Sequence, residues 1–210
     1  VNTSSSVTCN AAATGTGQVS NLLGGSGNQS YLWSNGSASY TTAYTNSLSA
    51  GIWSVNVSDA LTGCQINQSF FISQPPALVL TLSSTTPSAC VNASAALSGT
   101  TAGGTPAYTY TWSNAVVSYS SVVSQTLAGT YVYTLSSTDA NTCLVSNTIA
   151  LAFIANPILS VSDVSICPLK TGTLSVTGAS SYTWNNSSFG STFSDSPLSN
   201  TAYTVKGSAL

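Results

Sequence analysis

One segment recurs three times, and it limits the possible folds more than any other feature of the chain. Gly24-Gly25-Ser26-Gly27-Asn28-Gln29-Ser30-Tyr31-Leu32-Trp33-Ser34-Asn35-Gly36 returns as Gly103-Gly104-Thr105-Pro106-Ala107-Tyr108-Thr109-Tyr110-Thr111-Trp112-Ser113-Asn114. It returns again, shortened, as Gly178-Ala179-Ser180-Ser181-Tyr182-Thr183-Trp184-Asn185-Asn186. Each copy is a glycine turn, a short alternating strand ending in Trp, and a turn containing Asn. Repetition at this period marks one structural unit used several times, so the chain is expected to repeat one fold.

A second landmark keeps step with the first. Trp33 is followed by Gly51-Ile52-Trp53-Ser54-Val55, Trp112 by Gly129-Thr130-Tyr131-Val132-Tyr133, and Trp184 by Thr201-Ala202-Tyr203-Thr204-Val205. Trp33, Trp53, Trp112, Tyr131, Trp184 and Tyr203 are therefore expected as core aromatics on neighbouring strands. The rest of the pattern has period two, as in Leu78-Val79-Leu80-Thr81-Leu82 and Leu174-Ser175-Val176, with no helical period. Short strands parted by Gly, Asn, Ser and Thr turns predict an all-β chain of tandem Ig-like β-sandwiches. Proline junctions at Gln74-Pro75-Pro76 and Asn156-Pro157 set the expected bounds at 1–75, 76–156 and 157–210.

Charge narrows the function. The 210 residues hold two Lys, four Asp and no Arg, Glu or His, while Ser and Thr make up a third of the chain. A chain without a basic patch is poorly suited to nucleic acid or anionic membrane. General acid–base or nucleophilic catalysis needs positioned His, Glu, Asp, Lys or thiolate, and no such cluster is legible, so no catalytic residue, metal ligand or cofactor is expected. Asp59 and Asp139 hold the same repeat position and are expected to form turns. A weak calcium site there is the alternative, though no calcium-loop spacing is present. Asn-x-Ser/Thr triplets begin at Asn2, Asn28, Asn35, Asn56, Asn67, Asn92, Asn185 and Asn186, and glycans there would suit a surface poor in charge. Exposed aromatics such as Tyr40, Tyr44 or Tyr119 would suit a carbohydrate-binding module.

Five cysteines remain. Cys9 and Cys64 bracket the first unit, and Cys90 and Cys143 bracket the second. One disulfide per unit is expected from this bracketing, which implies an oxidising, extracellular setting. Free buried thiols in a reducing compartment are the alternative. Cys167 is left over, unpaired or available between subunits, because its matching closing cysteine would fall just beyond Leu210. The third unit is thus expected to lack its last strand. Either the chain is an excerpt, or a strand from another subunit, such as the run from Val1 to Cys9, completes it.

The order of Cys, Gly-Gly, Tyr-x-Trp-Ser-Asn-Gly, Ala-Gly-x-aromatic-x-Val, Asp-Ala, Cys and Gln-Pro resembles the SprB-type repeats of large surface adhesins in gliding Bacteroidota. Residues 1–76 carry it through Gly25, Tyr31, Trp33, Ser34, Asn35, Gly36, Gly51, Asp59, Gly63, Cys64, Gln74 and Pro75. Residues 77–156 carry it through Gly104, Tyr108, Tyr110, Trp112, Gly129, Tyr131, Asp139 and Cys143, with Thr142 where the family has Gly. Residues 157–210 are closer to the Ig-like modules of the same secreted proteins. The resemblance implies a non-enzymatic structural or adhesive segment at the cell surface, many such proteins leaving by the type IX pathway and serving gliding motility. The alternative is a pilus-like filament subunit completed by strand exchange. Expected partners are neighbouring repeats or subunits and surface glycans, with no nucleic acid and no membrane insertion.

Overall fold

The computed structural model describes residues 3–20 and 22–208. Every regular element among them is a β-strand, and no helix long and apolar enough to cross a membrane occurs. Contacts group the chain into two compact units. One runs to Pro87 and adds Ala95–Val123 and Tyr131–Leu151; the other takes Ser88–Ser94, Ser124–Thr130 and the chain from Ala152 onward.

The first sandwich is built from β1 (Thr3–Ser5), β2 (Gly15–Gln18), β3 (Gln29–Ser34), β4 (Ser39–Tyr40), β5 (Tyr44–Leu48), β6 (Gly51–Asp59) and β7 (Gln65–Ile72). One sheet has the order β1-β2-β5 and the other β4-β3-β6-β7. Period-two burial along β6 turns Trp53, Val55, Val57 and Asp59 inward, where the apolar three meet Trp33, Leu48 and Ile72. Such alternation is what one buried face requires of a strand. Val7 is buried in this core, and β1 pairs with β2. The N-terminal run considered as a strand donor is thus used within its own sandwich.

The middle sandwich repeats the plan. Its strands are β8 (Val79–Ser84), β9 (Ser88–Cys90), β10 (Ser94–Ala102), β11 (Thr109–Trp112), β12 (Ser120–Ser124), β13 (Gly129–Thr138) and β14 (Leu144–Ile154). The sheets have the orders β12-β10-β8 and β11-β13-β14-β9. The chain leaves β8 in one sheet and returns as β9 in the other, parallel to the end of β14. That switch of the first strand between sheets, with a buried Trp on the third main strand, gives an Ig-like order.

The third sandwich has β15 (Ser160–Val161), β16 (Gly172–Thr177) and β18 (Thr192–Asp195) in one sheet, and β17 (Ser181–Trp184) with β19 (Val205–Ser208) in the other. Trp184 faces Val205 as Trp33 faces Val55 and Trp112 faces Leu135. Among the described residues β19 pairs with β17 alone, and no counterpart of β7 or β14 is part of that sheet.

The same cross-strand pairs refine the aromatic alignment. Because Leu135 takes the place of Val55, Trp53 corresponds to Tyr133 rather than to Tyr131. Two extra residues at the start of β13 shift the count made from the glycine. Tyr133 is buried, whereas Tyr131 is half-buried. Trp33, Trp53, Trp112 and Trp184 are all buried, and Tyr203 is half-buried against Phe193.

Candidate functional site

In the first two copies the glycine turn of the repeat holds an aspartate. Asp59 ends β6 and accepts from the Ser26 N–H at 2.5 Å and from the Ser26 hydroxyl at 2.8 Å. The N–H groups of Leu61 and Thr62 also donate to it, each at 3.0 Å. Asp139 accepts from the N–H groups of Thr105 at 2.8 Å, Asn141 at 2.9 Å and Cys143 at 2.9 Å. Gly25 and Gly104 lie against these carboxylates at positive φ, and a Cβ at either would stand 2.7 Å from the Asp Oδ2. Only glycine combines that backbone with that approach.

The Ser26 N–H, with further N–H and hydroxyl donors, holds the Asp59 carboxyl well below the usual carboxylate range. At Asp139 burial alone would raise the value, but the donated N–H bonds outweigh it and the net direction is down. These carboxylates are spent on their own turns, and no cluster of three or more potential metal ligands occurs among the described residues.

The Asp turns also position cysteines. Asp59 N–H donates to the Cys64 carbonyl at 2.9 Å, and Asp139 N–H to the Cys143 carbonyl at 3.0 Å. The other cysteines occupy a second kind of turn. Ala12 N–H donates to Cys9 O at 3.1 Å, Ala93 N–H to Cys90 O at 3.0 Å, and Lys170 N–H to Cys167 O at 3.1 Å. In each the residue two after the cysteine has positive φ: Ala11, Asn92 and Leu169. The Cys9 turn sits beside the end of β7, where Val7 N–H meets Ser73 O, Asn10 Nδ2 meets Pro75 O, and Ala11 N–H meets Gln74 Oε1.

The structure joins Cys9 to Cys143, with Cα atoms 5.7 Å apart, and leaves Cys64, Cys90 and Cys167 free and exposed. The expected pairs Cys9–Cys64 and Cys90–Cys143 are not formed. Cys64 immediately precedes β7, whereas Cys9 lies beside its far end. Eight residues of strand span roughly 26 Å, while a disulfide needs Cα atoms within about 7 Å. Cys90 aligns with Ile154 at the end of β14 and Cys143 lies before its start, so the 11 residues of that strand hold them farther apart still. The bracketing was legible, but it marks opposite ends of one sandwich. The bond therefore staples the base of the first sandwich to the top of the second. Beside it Asn141 Nδ2 donates to Thr8 O at 3.2 Å.

The third sandwich carries an open cleft of about 460 Å³. Val164, Ile166, Leu174, Phe193, Leu198 and Tyr203 line it, and Tyr203 Oη donates to Asp195 Oδ2 at 2.5 Å. That bond lowers the Asp195 carboxyl and raises the Tyr203 hydroxyl.

Among the triplet asparagines, Asn35 and Asn186 use their side-chain oxygens to accept N–H bonds within their turns. Asn56 is half-buried on β6, while Asn28, Asn67, Asn92 and Asn185 are exposed. Asn2 lies outside the described residues. Tyr40 packs on Trp53 with its hydroxyl bonded to Ser47 O, whereas Tyr44 and Tyr119 are exposed.

No protein-family model matches the chain, and no curated protein matches it. Solved structures do. The three N-terminal domains of the bacteriophage RB49 Highly Immunogenic Outer Capsid protein (Hoc) are 16% identical at TM-score 0.44, covering 99% of this chain and 87% of that one. Domains 1–6 of the surface layer protein SbsC are 18% identical at TM-score 0.36, covering 86% of this chain and 32% of that one. The amphioxus IgVJ-C2 molecule is 10% identical at TM-score 0.30, covering 64% of this chain and 93% of that one. These neighbours include tandem Ig-like and surface-layer domain proteins.

Proposed function

We propose that this chain is a non-enzymatic, extracellular structural or adhesive segment, made of three successive Ig-like units at 1–75, 76–156 and 157–210. The observation that carries the reading is the Cys9–Cys143 bond. It ties one sandwich to the next rather than closing a single sandwich, so it resists bending and separation at the joint. Structural disulfides persist in oxidising compartments. Serial units that each repeat one fold suit reach and attachment, because length grows by addition. A surface of hydroxyls and amides, with a formal net charge of −2, suits a crowded exterior and is open to glycans. Membership among SprB-type repeats of gliding-type surface adhesins is the finer form of this proposal.

The test is to label intact cells with an antibody against the chain and to alkylate the recovered protein without reductant. Surface labelling with Cys9 and Cys143 protected supports the reading. Free alkylation of both, or labelling only after lysis, defeats it.

One observation favours a second reading, a filament subunit completed by strand exchange. Among the described residues β19 pairs with β17 alone, which leaves its other edge for an added strand. A synthetic peptide with the sequence of β14, Leu144–Ile154, is expected to protect the β19 amides from hydrogen exchange. Unchanged exchange at saturating peptide would end this reading.

A further inference from the structure

The two kinds of cysteine turn are a matched pair, and the chain leaves one head cysteine and two tail cysteines free. Cys64 and Cys143 occupy the Asp turn at the head of a sandwich. Cys9, Cys90 and Cys167 occupy the positive-φ turn at the tail. Where a tail meets a head inside the chain, the result is a disulfide with a flanking bond from Asn141 to Thr8. Cys64 stands in the first sandwich as Cys143 stands in the second. Both follow a buried aspartate whose N–H is bonded to the cysteine carbonyl, and in each the residue before the cysteine, Gly63 or Thr142, has positive φ. Leu61, which occupies the place of Asn141 as the first N–H donor to the Asp Oδ1, is exposed and offers an apolar contact where Asn141 offers a polar one.

We propose that Cys64 is the head half of a second junction of this kind, and that its partner is Cys167 of a second copy of this chain. Cys167 is the tail cysteine of the third sandwich, exposed and free. Cys90 is also a free tail cysteine, but it ends β9 and is paired with Ile154 of β14, whereas Cys167, like the bonded Cys9, lies outside any strand. The contact joins two different surfaces, so each copy keeps a free half for the next and the copies extend into a filament or a ring. This rests on the extracellular structural reading and adds covalent head-to-tail assembly to it.

The chemistry balances with a small-molecule disulfide, such as oxidised glutathione, as the oxidant. The Cys64 thiolate attacks one of its sulfurs, giving a mixed disulfide and releasing one small thiolate. The Cys167 thiolate of the second copy then attacks the Cys64 sulfur and releases the other. Two protein thiols lose two protons and two electrons, one S–S bond forms, and the small disulfide is reduced to two thiols.

The test uses the full chain with Cys9–Cys143 formed, concentrated in a glutathione redox buffer. The expected result is a non-reducing ladder at integer multiples of the chain mass, with a cross-linked peptide joining Cys64 to Cys167. Cys64→Ser and Cys167→Ser should each remain monomeric, and an equimolar mixture of the two should stop at a dimer. Cys90→Ser should leave the ladder unchanged. A chain that stays monomeric, a ladder that survives Cys64→Ser, or cross-links mapping to Cys64–Cys64 or Cys90 would overturn the proposal. Peptide mapping on the unsubstituted chain decides the matter even if a variant misfolds. A monomer that is still labelled on intact cells would overturn only this junction. A ladder formed by a protein found only inside cells would overturn only the surface reading.

Discussion

Trp33 and Trp112 hold the same place in successive sandwiches but satisfy their indoles differently. Trp33 Nε1 donates to Thr42 O at 2.6 Å, and Trp184 Nε1 to Gly190 O at 3.0 Å. Trp112 Nε1 is buried with no acceptor. A buried donor without a partner keeps its desolvation cost, so replacing it by an apolar ring removes a penalty as well as area. Trp33→Phe is therefore expected to destabilise by about 1 kcal/mol more than Trp112→Phe, read as the difference in urea midpoints at equal slope. Equal losses would show that the indole bonds do not matter. Truncation of Trp33 to Ala is of another order, about 3–5 kcal/mol, because it also empties a core site.

Strand register decides which aromatic counts. Tyr133 corresponds to Trp53 because Leu135 pairs with Trp112 as Val55 pairs with Trp33. Tyr133→Ala should therefore cost about 3 kcal/mol or more, by the loss of a buried ring, and Tyr131→Ala clearly less. Thermal melts of the two variants check this, and the reverse order would mean the glycine-based count is the true register. The same logic governs the cysteines. A strand places its two ends far apart, so cysteines flanking one sandwich cannot find each other, while those at facing ends of consecutive sandwiches can.

At the scale of the whole molecule, the Cys9–Cys143 bond closes a loop with a sequence separation of 134 residues. In the chain-entropy account such a loop stabilises by about 4–5 kcal/mol. Cys9→Ser is expected to lower the melting temperature markedly, read against the unsubstituted chain by calorimetry under non-reducing conditions. A melting curve that does not move would show that the joint adds nothing to stability. The charge pattern sets the pH response. Asp59, Asp139 and Asp195 are all lowered in the fold, so their contribution is complete above about pH 4 and is lost as pH falls through their folded values. Tyr203 is raised, so its contribution is complete below about pH 10 and is lost as pH rises through its folded value. With no His and two Lys, melting temperature should be flat from roughly pH 5 to 9 and fall at both ends. A step near pH 6.5 would contradict this.

Local chemistry was enough to establish the repeat, the all-β class, the buried Trp positions and the aspartate turns. Alternation with period two, glycine at positive φ and Asp ahead of a turn act within a few residues, so they can be read along the chain. The cysteine partners, the true mate of Trp53 and the fate of the N-terminal run could not be read that way. They depend on which end of a strand a residue occupies and on how neighbouring sandwiches meet. Those distances are set by strand length and pairing across the fold, and spacing in sequence carries neither.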